Sequence, residues 1–203
     1  VAARVLEIAL TGRDAGEAGR VPMCGVPCHA ADGYIARLIE KGYRVAICEQ
    51  VEDPKQARGL VRREVTRVIT PGTVVDGQYL DAKRNNYLAA VVPVGEGYGL
   101  CLVDVSTGEM AVGEASGERA LEALRDELAC ALPAEVLVPD NAPEALLELV
   151  RRERSVLVTR IEAEDLTEEA ARRAVQAQFG DGVQTTPWWQ RRQAVLAAGA
   201  ALR

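Results

Sequence analysis

The chain has 203 residues, 48% of them hydrophobic and only 4% aromatic, enough for one or two domains whose cores Leu, Val, Ala and Ile must fill. No apolar run approaches the roughly 18 residues of a membrane span, no signal peptide is visible, and five irregularly spaced cysteines argue against a secreted disulfide framework, so a cytoplasmic protein with no membrane partner is expected. The net charge of −6 is uneven: residues 1–84 carry 13 Lys+Arg against 11 Asp+Glu, and residues 85–203 carry 11 against 19, so only the first part suits a phosphate backbone.

Val1–Leu10 reads as a helix with Val5, Leu6 and Ala9 on one stripe. It starts without a cap, and the last helix ends without one, so the sequence reads as a fragment of a longer chain. TGRDAGEAGR is a Gly-rich loop, and VPMCGVPCH is a second irregular stretch, because Pro22 and Pro27 forbid a continuous helix or central strand. His29–Lys41 is an amphipathic helix with Ala31, Tyr34, Ile35, Leu38 and Ile39 on one face, stopped by Gly42. Tyr43–Cys48 alternates as a strand, VEDPKQARG is a turn and short helix, and Arg62–Thr70 is a second strand ended by Pro71-Gly72. Residues 73–86 read as a linker between a unit over residues 1–72 and another over residues 87–203.

In the second unit Tyr87–Pro93, Tyr98–Val105 and Glu109–Glu114 form an antiparallel meander. A helix follows over Glu118–Leu132, with Leu121, Leu124, Leu128 and Leu132 in register. Glu135–Val138 is a short strand, Asn141 caps a helix with Pro143 in its first turn, and Ser155–Ile161 is the next strand. Thr167 caps a helix closed by Gly180, and WWQ leads into the last helix. The fold class is α/β: a partial mixed α+β unit, then an RNase H-like domain whose mixed sheet is flanked by helices.

Two constellations bear on chemistry. Cys24, Cys28, His29 and Cys48 offer zinc-ligand residue types, but Cys28 and His29 are adjacent and hard to aim at one ion, and Cys48 ends a strand. The plainer reading makes Cys24, Cys48, Cys101 and Cys130 core or near-core residues and His29 a helix-start residue, with no metal site. The second is CLVDVSTGEM. A nuclease of RNase H type needs three or four carboxylates around two ions about 4 Å apart. Asp104 is one candidate, with Glu127 and Asp140 next by position. No further motif supports that set, and Asp104 reads better as a residue bonding backbone amides near Ser106 and Thr107. No G-x-x-x-x-G-K-[ST] occurs, so the chain carries no P-loop, no catalytic residue is assigned, and no cofactor is expected in it.

The segments LTGRDAG, VPMCGVPCHA, AICEQ followed by Asp53-Pro54, and VTRVITPGT together resemble the mismatch-recognition domain of the bacterial MutS family, from Leu6 to Thr73. NNYLAAV, GYGLCLVDVSTGE and QFG resemble, more loosely, the connector domain of that family. The resemblance implies a dimeric, ATP-driven clamp on mispaired or looped DNA. ATP and magnesium are expected only for the full-length parent. Partners implied are mismatched double-stranded DNA, a second MutS copy, and MutL through the connector. The family's reading head, a Phe-x-Glu motif, is implied to lie upstream, since the sole Phe here is Phe179. What remains is a recognition platform and a relay. Its DNA-proximal residues are expected to be Pro22, Met23 and Gly25 in a loop near the minor groove, with Arg13 and Arg20 in reach of phosphates. The sequence departs from the family at Cys28, where an aromatic is usual, and no metal site follows from the likeness.

Overall fold

A computed structural model describes residues 1–14, 16, 19–53, 61–75, 80, 84–152 and 156–203. The short helix expected within VEDPKQARG falls largely on residues 54–60, outside the described residues. The chain divides into two compact units, Val1–Pro71 and Gly72–Arg203.

The first unit is built from α1 (Ala2–Leu6), β1 (Thr11–Asp14), β2 (Arg20–Met23), α2 (Ala31–Glu40), β3 (Val45–Gln50) and β4 (Arg63–Ile69). Helix α1 stops at Leu6, four residues short of the sequence-based expectation, with Glu7 left-handed at φ 56°. Helix α2 begins after a 3-10 turn at Cys28–Ala30 and buries Ile35, Ala36 and Ile39. Gly42, at φ 77°, turns the chain out of it. Strands β3 and β4 pair antiparallel with a bulge between Ile47 and Cys48. Among the described residues the buried apolar side chains of this unit are Leu6, Ile35, Ala36, Ile39 and Ile69. At about 1.5–3 kcal/mol for each large side chain this is a modest core, while Val65 and Val68 of β4 stay 57% and 55% exposed.

The second unit contains β5 (Tyr87–Val94), β6 (Gly97–Asp104), β7 (Glu109–Ala115), α3 (Ala120–Ala131), β8 (Glu135–Pro139), α4 (Glu144–Arg151), β9 (Leu157–Ile161), α5 (Glu168–Phe179) and α6 (Arg192–Ala201). Its five-stranded sheet runs β7-β6-β5-β8-β9. The meander β5-β6-β7 is antiparallel, and β5-β8 and β8-β9 are parallel. That order and these directions are those of an RNase H-like sheet. Because a strand alternates sides at every residue, β5 feeds two cores. Ala89 and Val91 pack with Leu124, Leu128, Leu146 and Leu147 of α3 and α4. Ala90 and Val92 pack with Val175, Val195 and Leu196 of α5 and α6 on the other face. Helix α6 is buried almost all round, from Ala194 to Ala200. Its run of alanines substitutes for the scarce aromatics, letting helix and sheet approach closely.

Three local expectations are corrected. Leu132 lies outside the apolar stripe of α3: it is a left-handed C-cap, φ 47°, and 67% exposed. Asn141 does not cap α4. The N-cap position is Pro143, without a side-chain bond, and it is Asp140 that holds this loop, accepting from the Ala163 N–H at 3.1 Å. The segment after β4 is no open linker at its start: Pro71–Thr73 forms a 3-10 turn, and Gly72 and Val74 are buried. The cap at Thr167 is present as expected, its hydroxyl accepting from the Ala170 N–H at 3.2 Å.

Candidate nucleic-acid interface

The stretch read as two loops is a β-hairpin. Its register pairs Thr11 with Met23, Gly12 with Pro22, Arg13 with Val21, and Asp14 with Arg20. Pro22 is tolerated because a two-stranded ribbon leaves each strand one unbonded edge, where a missing N–H costs nothing. The turn is entered through Asp14, whose carboxylate accepts from the Gly16 N–H at 3.1 Å, an Asx turn. The hydroxyl of Thr11 donates to the Met23 carbonyl at 3.0 Å and ties the two strands at their open end.

Directly paired residues share a face, so the register sorts the expected DNA-proximal residues. Arg13 and Met23 stand on one face with Thr11 and Val21. Arg20 and Pro22 stand on the other, where the Arg20 side chain crosses Gly12, its Cγ 2.9 Å from where a Cβ there would sit. Gly25 lies beyond the strand in an exposed, irregular stretch. Val21 and Met23 are 47% and 45% exposed. Neither Arg13 nor Arg20 takes part in an ion pair among the described residues. The first face thus offers a bare cation beside two exposed apolar side chains. Sequence reading missed Val21 and the hairpin. The signals were the Asp-x-Gly turn at Asp14–Gly16 and the apolar–Pro–apolar run after Arg20.

The cysteines do not converge. Cys28 and Cys48 are exposed, Cys24 is half-buried, and all five are free thiols. Cys48 and Cys130, expected in or near the core, are on the surface: Cys48 faces outward beyond the bulge of β3, and Cys130 sits on the solvent side of α3. Cys101 alone is buried, and burial pushes its thiol up to about 12. Among the described residues no three of His, Cys, Asp and Glu stand together as a metal ion would require.

Asp104 answers the nuclease question. It is 1% exposed, at the end of β6. One carboxylate oxygen accepts from the Ser106 hydroxyl at 2.6 Å, the Ser106 N–H at 2.9 Å and the Thr107 N–H at 3.3 Å; the other accepts from the Asn86 N–H at 2.9 Å. Burial works to raise its pKa, and these four bonds outweigh it and hold the carboxyl below the ordinary value. Both carboxylate oxygens are engaged, one by the turn between β6 and β7 and the other by the approach to β5. Glu127 and Asp140 are exposed on other elements, and β5 itself carries no acidic residue. Among the described residues the RNase H-like sheet carries no cluster of carboxylates of the kind RNase H chemistry uses.

The profile of MutS domain I matches residues 1–78, and that of MutS domain II matches residues 86–203. The chain belongs to the MutS family. It is 65% identical over 139 residues to the DNA mismatch repair protein MutS of Pelotomaculum thermopropionicum, covering 68% of this chain and 16% of that relative. It is 48% identical over 180 residues to the MutS of Symbiobacterium thermophilum, covering 88% and 21%. The MutS of Desulforamulus reducens is 58% identical over 142 residues, 69% of this chain and 16% of its own length. The chain therefore spans about a fifth or less of the length of these relatives and corresponds to MutS domains I and II.

Proposed function

We propose that this MutS segment supplies the recognition platform and the connector of a clamp that binds mispaired or looped DNA. The match to MutS domains I and II over nearly the whole chain carries this reading. In it the β1–β2 hairpin enters the minor groove: from one face Met23 abuts an opened base step and Arg13 meets a phosphate, from the other Pro22 lies against the groove wall and Arg20 meets a second phosphate, and Gly25 lies beyond the strand. Soft, exposed Met23 suits a deformed step, where unstacking costs least at a mismatch and deformability becomes specificity. The acidic second unit works on protein instead, as the relay to an ATPase and the docking place for MutL. ATP, magnesium and the second subunit belong to the longer protein, as does the aromatic wedge, and the protein works in the cytoplasm.

Cross-linking tests the assignment. Single-cysteine variants retaining only Cys28 or only Cys130 are labelled with a benzophenone and irradiated with a G·T duplex. The reading expects DNA adducts from Cys28, five residues beyond Met23, and none from Cys130 on the connector. Equal adducts from both, or adducts from Cys130 alone, would overturn it.

A further inference from the structure

Strand β7 forms one edge of the five-stranded sheet. It runs against β6 over Glu109–Ala115 with no shift of register. Among the described residues, no backbone group of Met110–Ala115 bonds to a segment other than β6. Open edges attract further strands, and proteins blunt them with proline, lysine or a bulge; β7 has none of these. Both faces of this edge are hollow. On the α5–α6 face, Met110 and Val112 border a groove of about 270 Å³ closed by Phe179, Val183 and Trp188, and Phe179 is 47% exposed. On the α3 face, Ala111, Gly113 and Ala115 border a second groove of about 290 Å³, with Ala123, Leu124 and Glu127 across from them. Nothing inside the fold requires glycine at Gly113: its φ is not positive, and a Cβ there would meet nothing within 4 Å. A glycine inside a strand often marks a place where another backbone or a ligand approaches closely.

An added strand points alternate side chains to opposite faces, so one seated here needs an apolar middle to fill both grooves. The rim sets the chemistry of its ends. Glu109 and Glu127 take part in no ion pair among the described residues, and Glu114 meets Arg191 only at 3.6 Å. A second copy would bring the same carboxylates to the same edge, from a unit whose residues 85–203 hold 19 Asp+Glu against 11 Lys+Arg, and like charges oppose that pairing. We propose that the β7 edge accepts an extended segment of another protein, apolar in its middle and cationic at its ends, as an added strand of this sheet. The site is read from the second unit alone and does not rest on the relay role proposed above.

Fluorescence anisotropy of a labelled peptide titrated with the whole chain tests it. The probe is a short valine run flanked by lysine pairs. It should bind saturably, and about tenfold or more weakly when alternate peptide nitrogens are N-methylated, which removes strand donors and keeps the side chains, or when glutamates replace the lysines. Gly113→Leu should weaken binding as much by filling the α3-face groove, with a thermal melt like that of wild type because the new Cβ enters open space. Phe179→Ala, at an exposed position, should weaken it from the other face. Bound peptide should slow hydrogen exchange across Glu109–Ala115 and leave β9, at the opposite edge, unchanged. No saturation by about 1 mM peptide, equal affinity for the N-methylated peptide, or protection of β9 instead of β7 would each overturn the proposal. So would dimerisation of the chain through β7, abolished by Gly113→Leu, because a second copy would then be the occupant.

Discussion

Replacing Asp104 by Asn separates a structural carboxylate from a catalytic one. The substitution preserves shape and leaves one acceptor oxygen. Placed where three donors converge, that oxygen keeps the Ser106 and Thr107 bonds, but the new NH2 then faces the Asn86 N–H, which loses its acceptor. One charge-assisted bond to a buried carboxylate is worth about 1.5–3 kcal/mol, so D104N should cost about 1.5–3 kcal/mol. The assay is urea unfolding followed by Trp fluorescence, since Trp188 and Trp189 both lie in the second unit. The pH dependence carries a sign. The folded-state pKa of Asp104 is depressed, so its contribution is full above the unfolded value of about 3.9 and is lost as pH falls from there toward the folded value. Wild type should therefore lose more stability than D104N between about pH 5 and pH 3. Stability of D104N within about 0.5 kcal/mol of wild type, or magnesium-dependent cleavage of DNA that D104N abolishes, would refute the structural assignment.

Three further outcomes follow from the geometry. Gly199 lies where α6 crosses α5, and a Cβ there would stand 2.5 Å from Ala171 Cα; G199A should cost about 1–3 kcal/mol through overpacking, and a melting curve unchanged from wild type would be wrong for this packing. Cys101, with its thiol pushed up to about 12, should stay unmodified by iodoacetamide at pH 8 while Cys28, Cys48 and Cys130 are alkylated, with Cys101 labelled only after unfolding; peptide mass mapping reads this directly. If Arg13 and Arg20 meet phosphates, R13Q/R20Q should reduce the slope of log K against log salt by about 1.8 in total, and a slope equal to wild type would remove both from the interface.

The second unit was legible in the sequence because its strands are buried on at least one face and its turns are short. The continuous apolar run of Tyr87–Val94, buried on both faces, and the Thr167 cap give elements directly. Spatial strand order was not, since β5 pairing with β8 is a contact across more than forty residues that no local pattern encodes. The first unit was harder. Its hairpin depends on Pro22 occupying an edge position, and proline in a run ordinarily argues against a strand. Strands β3 and β4 are legible, but the expected Tyr43–Cys48 starts and ends two residues before the observed Val45–Gln50, because the mostly exposed end of β3 at Glu49 and Gln50 carries no apolar signal. Leu132 and Asn141 failed for a shared reason: residue type matched the pattern, but the chain had already left helical geometry at Leu132 and had not yet entered it at Asn141. The bond from the Gly72 N–H to the buried Glu135 carboxylate, 3.2 Å, is not legible in the sequence, because a Glu at a strand start ordinarily reads as a solvated end.

The central claim is that this chain is a recognition platform and relay that needs residues outside it to read a mismatch. Fluorescence-anisotropy titration of matched and G·T duplexes at two salt concentrations, with this chain and with a version extended upstream through the family's Phe-x-Glu segment, tests it most directly. The account predicts weak, salt-sensitive binding of equal strength to both duplexes for the chain as given, and preference for the G·T duplex only in the extended version. Preference for the G·T duplex by the chain as given would contradict it and make the Arg13–Met23 face of the hairpin the reader.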